Sequence, residues 1–238
     1  VKNLICAALA LAVVACAPTN NTNTASDTAA TSSTTASTTT NTTAAPTTGE
    51  APAIAKVPKA GDETKPAGYY DNKIAELHTT AGEIDIRFFP NKAPNHVKNF
   101  IDLSEKGFYN GTKFHRVIPG FMIQGGDPNT ISGDPSTWGT GGSGKNINAE
   151  FNDIHHARGI VSMARTNDPN GASSQFFICV ADAASLDNQY TVFGEVTKGM
   201  DVADKIVNAP TGENNRPNNP TTIEKVVIRD AKPGEISK

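Results

Sequence analysis

Phe114-His-Arg-Val-Ile-Pro-Gly-Phe-Met-Ile-Gln-Gly-Gly-Asp127 is the stretch on which the fold turns. It sets one guanidinium, Arg116, beside an apolar pair, Phe121 and Met122, and an amide, Gln124, in strand-like sequence closed by glycines. It holds no carboxylate pair, no thiol and no metal-ligand spacing. Further along, Ser174-Gln-Phe-Phe-Ile-Cys179 is a second apolar run, followed by Leu186 and Val192-Phe-Gly194. Phe176 and Phe177 must face opposite sides of their strand, so one can fill a core while the other meets a ligand.

Around these pieces the chain reads as many short strands and few helices. Ile74–His78 and Glu83–Phe88 flank the turn Thr79-Thr80-Ala81-Gly82 as a hairpin, with Ile84, Ile86 and Phe88 on one face and Glu83, Asp85 and Arg87 on the other. Pro94 opens an amphipathic helix carrying Val97, Phe100 and Ile101, which Gly107 stops. A second helix is predicted from about Met200 to Asn208, with Pro210 just past its end. Further strands are predicted over Lys113–Ile118, Met122–Gly125, Gly159–Ala164, Gln175–Val180, Thr191–Glu195 and Thr222–Asp230. Two helices among so many strands point to a closed β-barrel rather than to alternating βαβ units. The long loops Asp127–Glu150, Arg165–Ser174 and Ala181–Tyr190 are of the length that usually carries function.

The motifs, in this order and rough spacing, resemble the signature of the cyclophilins, a family of peptidyl-prolyl cis-trans isomerases, over about Lys73 to Arg229. The resemblance implies a mainly β fold, a closed eight-stranded antiparallel barrel capped by two α-helices, occupying residues 69–238. It implies an enzyme that rotates X–Pro bonds in proline-containing segments of unfolded or partly folded proteins, without cofactor or metal. It places catalysis at Arg116, Phe121 and Gln124. Substrate contacts fall at Met122, Ala164, Arg165, Gln175, Phe177, Leu186, Tyr190, Gly139 and Thr140.

These residue types suit that chemistry. Twisting a peptide bond crosses a barrier of about 18–20 kcal/mol, and accelerating it by roughly five decades means lowering the barrier by about 7 kcal/mol. No bond is made or broken, so the catalyst must favour the twisted amide over both planar forms. In the twisted state the proline nitrogen regains a lone pair, and a fixed donor such as Arg116 can bond it there and only there. An apolar pocket holds the ring meanwhile. A binding module that captures proline segments with trivial turnover is the alternative, but pure capture would not require the arginine.

The N-terminal third reads differently. Lys2 followed by the apolar run Leu4–Ala15 describes a secretory signal over residues 1–15, too short to anchor as a spanning helix. Val13-Val14-Ala15-Cys16 resembles the lipobox of bacterial lipoproteins, which would make Cys16 a lipidated N-terminus. Thr, Ala, Asn and Ser dominate the linker that completes residues 16–68, and a chain of that composition is expected to stay disordered, a tether reaching roughly 35–45 Å. The expected location is the cell envelope, on the periplasmic face of the outer membrane if the source has two membranes, with the domain monomeric. A net charge of −3 over 238 residues offers no basic stripe for nucleic acid. Cys179 has no partner within the domain for a disulfide or a cysteine-based zinc site.

The chain departs from the family's pattern in places. Arg165 stands where asparagine is usual, Ser185 where the groove tryptophan falls, and Tyr190 where histidine falls. Without the indole at Ser185, weak binding of cyclosporin is expected. Trp138, out of register in the long loop, is not expected to substitute. His115 is expected to be structural, and His155-His156 to be solvated in a polar turn rather than to ligate metal. Gly139-Thr-Gly-Gly142 follows no apolar strand and opens no helix, so a phosphate loop is disfavoured, and no Gly-x-Ser-x-Gly elbow supports a hydrolase.

Overall fold

The computed structural model describes residues 65–236; the signal, Cys16 and most of the linker lie outside them. Eight strands, β1 (Lys73–Thr79), β2 (Gly82–Phe88), β3 (Arg116–Ile118), β4 (Met122–Gly125), β5 (Ile160–Met163), β6 (Phe176–Cys179), β7 (Thr191–Lys198) and β8 (Ile223–Asp230), join in the order β3-β4-β6-β5-β7-β2-β1-β8. Every ladder is antiparallel. Two helices, α1 (Pro94–Glu105) and α2 (Met200–Val207), pack on the sheet, α1 against β7 and β8, α2 against β2, β3 and β4.

The sheet is an open, curled half-barrel rather than the closed barrel expected. Its edge strands β3 and β8 share no ladder. β3 is three residues long, and Pro220, just ahead of β8, has no N–H to give. The edges meet only through the flanking segments, where Gly111 N–H donates to the Ile223 carbonyl at 2.7 Å, Ile223 N–H to Thr112 at 2.7 Å, and Phe114 N–H to Thr221 at 3.0 Å.

The first hairpin forms as its pattern predicts, with one difference. Asp85 is buried along with Ile84 and Ile86, so β2 does not simply alternate. A bulge against β7 falls between Asp85 and Ile86, and Arg229 reaches Asp85 at 3.5 Å from β8, covering the polar face. Desolvation raises the Asp85 carboxyl above its usual pKa.

Inside the curl, Phe100 of α1 meets Tyr109 at 4.9 Å, Phe176 at 5.3 Å edge-on and Phe193 at 5.4 Å between ring centroids. Burying such rings supplies about 25 cal/mol per Å² of apolar surface, and their quadrupoles favour the offset-stacked contact with Tyr109 and the edge-on contact with Phe176. The N-terminus of α1 has no side-chain cap of its own. Glu150, from the long loop, accepts the N–H groups of Asn95 (3.1 Å) and His96 (3.0 Å) instead. A carboxylate there satisfies orphan donors and meets the positive end of the helix dipole. This tie holds the long loop over the same end of the sheet as α1.

Candidate functional site

The β3–β4 hairpin sets Arg116 opposite Gln124, and the β4–β6 ladder sets Gln124 opposite Phe177 and Met122 opposite Cys179. Strand parity then sorts the side chains. Ile123, Phe176 and Ile178 enter the main core, while Met122, Phe177 and Cys179 form a second cluster with Phe121, Leu186 and Tyr190 packed against it. Phe176 and Phe177 thus divide as their alternation requires. The outer face of this second cluster is the floor of a groove of about 390 Å³.

Arg116, Phe121, Met122, Gln124, Gly139, Ala164, Arg165, Phe177, Leu186 and Tyr190 all line that groove. Thr140 and Gln175 lie in the adjoining depression, which shares Gln124, Gly139, Ala164 and Arg165 with it. Every expected site residue of the domain therefore falls on one continuous surface.

The polar groups form a chain. Arg116 Nη1 donates to Gln124 Oε1 (3.2 Å), and Gln124 Nε2 donates to Gln175 Oε1 (2.9 Å). Gln175 Nε2 donates in turn to the carbonyls of Gly139 (3.0 Å) and Gly141 (2.8 Å). Both amide orientations follow from this sequence of donors. Arg116 is half-buried and, among the described residues, has no carboxylate within ion-pair reach. Burial pushes its pKa below the usual guanidinium value, partly countered by Tyr190, but arginine keeps its proton in proteins. Its remaining donors are free for whatever enters the groove.

Two of the departures from the family pattern meet each other. The Arg165 guanidinium lies over the Tyr190 ring at 4.8 Å and Arg165 Nε donates to the Gln189 carbonyl at 3.0 Å. Tyr190 stands edge-on to Phe177 at 5.6 Å. Ser185 sits in a short 3-10 turn, Ala184–Leu186, and contributes no side chain to the groove.

Three groove residues were not expected: Trp138, Asn214 and Arg216. The out-of-register position of Trp138 does not keep it away, because Trp138 Nε1 donates to the Gly133 carbonyl (3.1 Å) and the turn Pro135–Thr137 folds the indole onto the groove wall. Asn214 and Arg216 come from the loop between α2 and β8, 16 and 18 residues past the end of β7, and only the flanking glycine and asparagines hinted at a tight turn. His115 also lines the groove, buried, with neither ring nitrogen partnered among the described residues; desolvation lowers its pKa.

His155 and His156 differ from the solvated pair expected. His155 is exposed and bridges Asp187 (2.7 Å) and Asp182 (2.5 Å), whereas His156 is fully buried. His156 Nδ1 lies 2.8 Å from Asp187 and Nε2 3.1 Å from Ser162 Oγ, and its ring stacks on Phe177 at 6.1 Å. Burial lowers the His156 pKa, while Asp187 raises that of His155. The imidazole is thus the backing of the groove floor. Its serine neighbour is buried too, so an Asp–His–Ser constellation here has no access to substrate. Beneath the same floor, burial pushes the Cys179 thiol up to about 12. No group of three or more His, Cys, Asp or Glu side chains suited to a metal occurs among the described residues.

A family model described as cyclophilin type peptidyl-prolyl cis-trans isomerase matches residues 74–228. A peptidyl-prolyl cis-trans isomerase of Acinetobacter baylyi is 44% identical over 167 residues, covering 66% of this chain and 86% of its own length. Peptidyl-prolyl cis-trans isomerase A of Dickeya dadantii is 48% identical over 161 residues, covering 66% and 82%. The crystal structure of a Cryptosporidium parvum cyclophilin-type isomerase, determined in the presence of the dipeptide Ala-Pro, superposes with a TM-score of 0.60 at 32% identity, covering 66% of this chain and 99% of that one.

Proposed function

The chain belongs to the cyclophilin-type peptidyl-prolyl cis-trans isomerase family, and from that premise we propose that Arg116 drives rotation of X–Pro bonds by hydrogen-bonding the twisted imide. The protein is a peptidyl-prolyl cis-trans isomerase, and its substrates are proline-containing segments of other chains. The proline ring sits on the apolar floor of Phe121, Met122, Phe177 and Leu186, which fixes one side of the rotating bond. As the preceding carbonyl swings out of plane, the proline nitrogen pyramidalises and its lone pair meets the Arg116 guanidinium. The planar ground states offer that lone pair to no donor, so the bond forms only in the transition state. Gln124, tied to Gln175, orients Arg116 and leaves the substrate backbone a second polar contact.

The single observation that supports this reading most is a half-buried guanidinium at the edge of an apolar floor, steered by an amide and, among the described residues, paired with no acid. NMR exchange spectroscopy on an Ala-Pro peptide tests it. Wild type should broaden and exchange the cis and trans signals, and Arg116→Ala should abolish most of that exchange. Signals left sharp by wild type at substoichiometric enzyme would sink the reading.

We extend the proposal to drug sensitivity and to place. With Ser185 in the groove turn and no indole there, cyclosporin loses a large contact and an N–H donor, and inhibition is weak. The domain works in the cell envelope, held there by acyl chains on Cys16. Metabolic labelling with a fatty-acid analogue, lost in Cys16→Ser, would support that location; an unlabelled wild-type protein would exclude it.

A further inference from the structure

The groove is positively charged on a protein that is negative as a whole. The chain carries a formal charge of −3, yet the groove and its adjoining depression are lined by Arg116, Arg165 and Arg216 and, among the described residues, by no aspartate or glutamate. None of the three guanidiniums has a carboxylate within ion-pair reach among the described residues. Arg116 donates to Gln124 and Arg165 to main-chain carbonyls. The side chain of Arg216 makes no hydrogen bond there, and its guanidinium lies 5.4 Å from the centre of the Trp138 ring. Asp134, whose pKa the Ser136 hydrogen bonds and, more weakly, the Arg216 charge lower, accepts the Ser136 N–H at 2.7 Å and makes no ion pair with Arg216.

Arg216 is also held at some cost. Asn214 and Asn215, the two residues before it, both have left-handed backbones, with φ of 59° and 57°. Such residues are disfavoured one at a time and rarer in succession. The loop is closed by Gly212 N–H to the Arg216 carbonyl (2.9 Å) and by Arg216 N–H to the Glu213 carbonyl (3.2 Å), and Pro217 behind it is buried. A strained, braced turn that ends in a cation on an indole shelf is a pre-set recognition element rather than a loose surface arginine.

We infer that Arg216, seated on Trp138, is a specificity-determining residue that selects proline segments carrying a carboxylate side chain close to the proline. The inference rests on the isomerase reading above and adds to it the charge of the preferred client. An aspartate or glutamate beside the ring would find an unpaired, half-buried guanidinium already positioned, and would meet no acid of the groove to repel it. The neighbouring Arg116 and Arg165 add to the same field.

The test is a set of Ala-Pro peptides in which a single glutamate, or glutamine, is placed at each of the three positions before and after the proline. For each, kcat/KM is measured by exchange NMR. In wild type one register should favour glutamate over glutamine by about two- to fivefold, the range of a partly exposed ion pair. That ratio should fall toward one in 1 M NaCl, where the Debye length shrinks to roughly 3 Å. It should also collapse in Arg216→Gln and in Trp138→Leu. Glutamate-to-glutamine ratios of one in every register, with the neutral peptides turned over normally, would overturn the inference and leave the isomerase reading intact. A preference that survives both Arg216→Gln and high salt would overturn it as well. If wild type turned over none of the peptides, the isomerase reading would fall and this one with it.

Discussion

Replacing Arg116 by alanine separates catalysis from folding more cleanly than any other change in this groove. Within the protein the side chain makes one hydrogen bond, to Gln124 at 3.2 Å, and no ion pair among the described residues. Losing a hydrogen bond from a charged donor costs stability about 1.5–3 kcal/mol, and a 3.2 Å bond at a half-exposed site belongs at the low end. A donor aimed at charge that develops only in a transition state is worth about 2.7–4 kcal/mol, which is roughly 10²–10³ in rate. Arg116→Ala should therefore lose at least about a hundredfold in kcat while its stability falls by only about 1.5 kcal/mol. KM should stay nearly constant, because the planar substrate gives the guanidinium no lone pair to bond. Arg116→Lys keeps the charge but not the planar fork, and should recover only a small part of the rate. The assay is exchange NMR on an Ala-Pro peptide across a concentration series, paired with urea unfolding of each variant. A folded Arg116→Ala within about tenfold of wild type, or a loss that appears wholly in KM, would refute the mechanism.

Other expectations follow from the same groove. Phe177 is 4% exposed and forms part of the proline floor, so Phe177→Ala should cost about 3–5 kcal/mol in stability and raise KM together; an unchanged urea midpoint would contradict its place in the packing. Ser185→Trp should tighten cyclosporin inhibition by at least about tenfold, as a buried interfacial indole commonly does, and no gain would mean that another residue limits the drug. Gly126 has φ 83°, and an added Cβ would lie 2.5 Å from the Ser174 carbonyl, so Gly126→Ala should destabilise by about 2–4 kcal/mol; a variant as stable as wild type would show that β4 and β6 can part without cost. For pH, desolvation holds His96, His115 and His156 below the usual imidazole pKa. The unfolded chain takes up protons below about pH 6.5 that the native state refuses, so stability should fall as pH drops from there toward their folded values. His155, raised chiefly by Asp187, has the opposite sign, and its contribution is lost above its folded pKa. Urea midpoints that stay flat between pH 7.5 and 5 would contradict the neutral burial of the three histidines.

How much of this was legible depends on how far each interaction reaches along the chain. Phe176 and Phe177 could be assigned to opposite faces because strand parity is a local property, and the residues of the Phe114–Asp127 stretch lie together because one hairpin carries them. The burial of Asp85 was not legible, since it depends on a bulge against β7 and on Arg229 arriving from the far end of the chain. The cap on α1 is invisible for the same reason: Glu150 lies more than 50 residues from the N–H groups it accepts. Closure failed as an expectation because pattern shows which residues are strand-like, not whether the first and last edges pair. His156 looked like one of two solvated neighbours, and only Asp187, Ser162 and Phe177 packed about it reveal a buried ring. Arg165 and Tyr190 each looked like an isolated exchange; their stacking makes them one feature.

The thiol beneath the floor offers a clock for the groove's own breathing. Cys179 is wholly inaccessible, and with its pKa raised to about 12 it presents scarcely any thiolate at neutral pH. An alkylating reagent can reach it only when β6 lifts away from Met122 and Ala183, so the modification rate of the peptide containing Cys179 counts those excursions directly. Saturating the enzyme with a proline peptide should slow that count. The factor of slowing would then report how firmly an occupant locks the strand it rests on, measured without a label on the substrate.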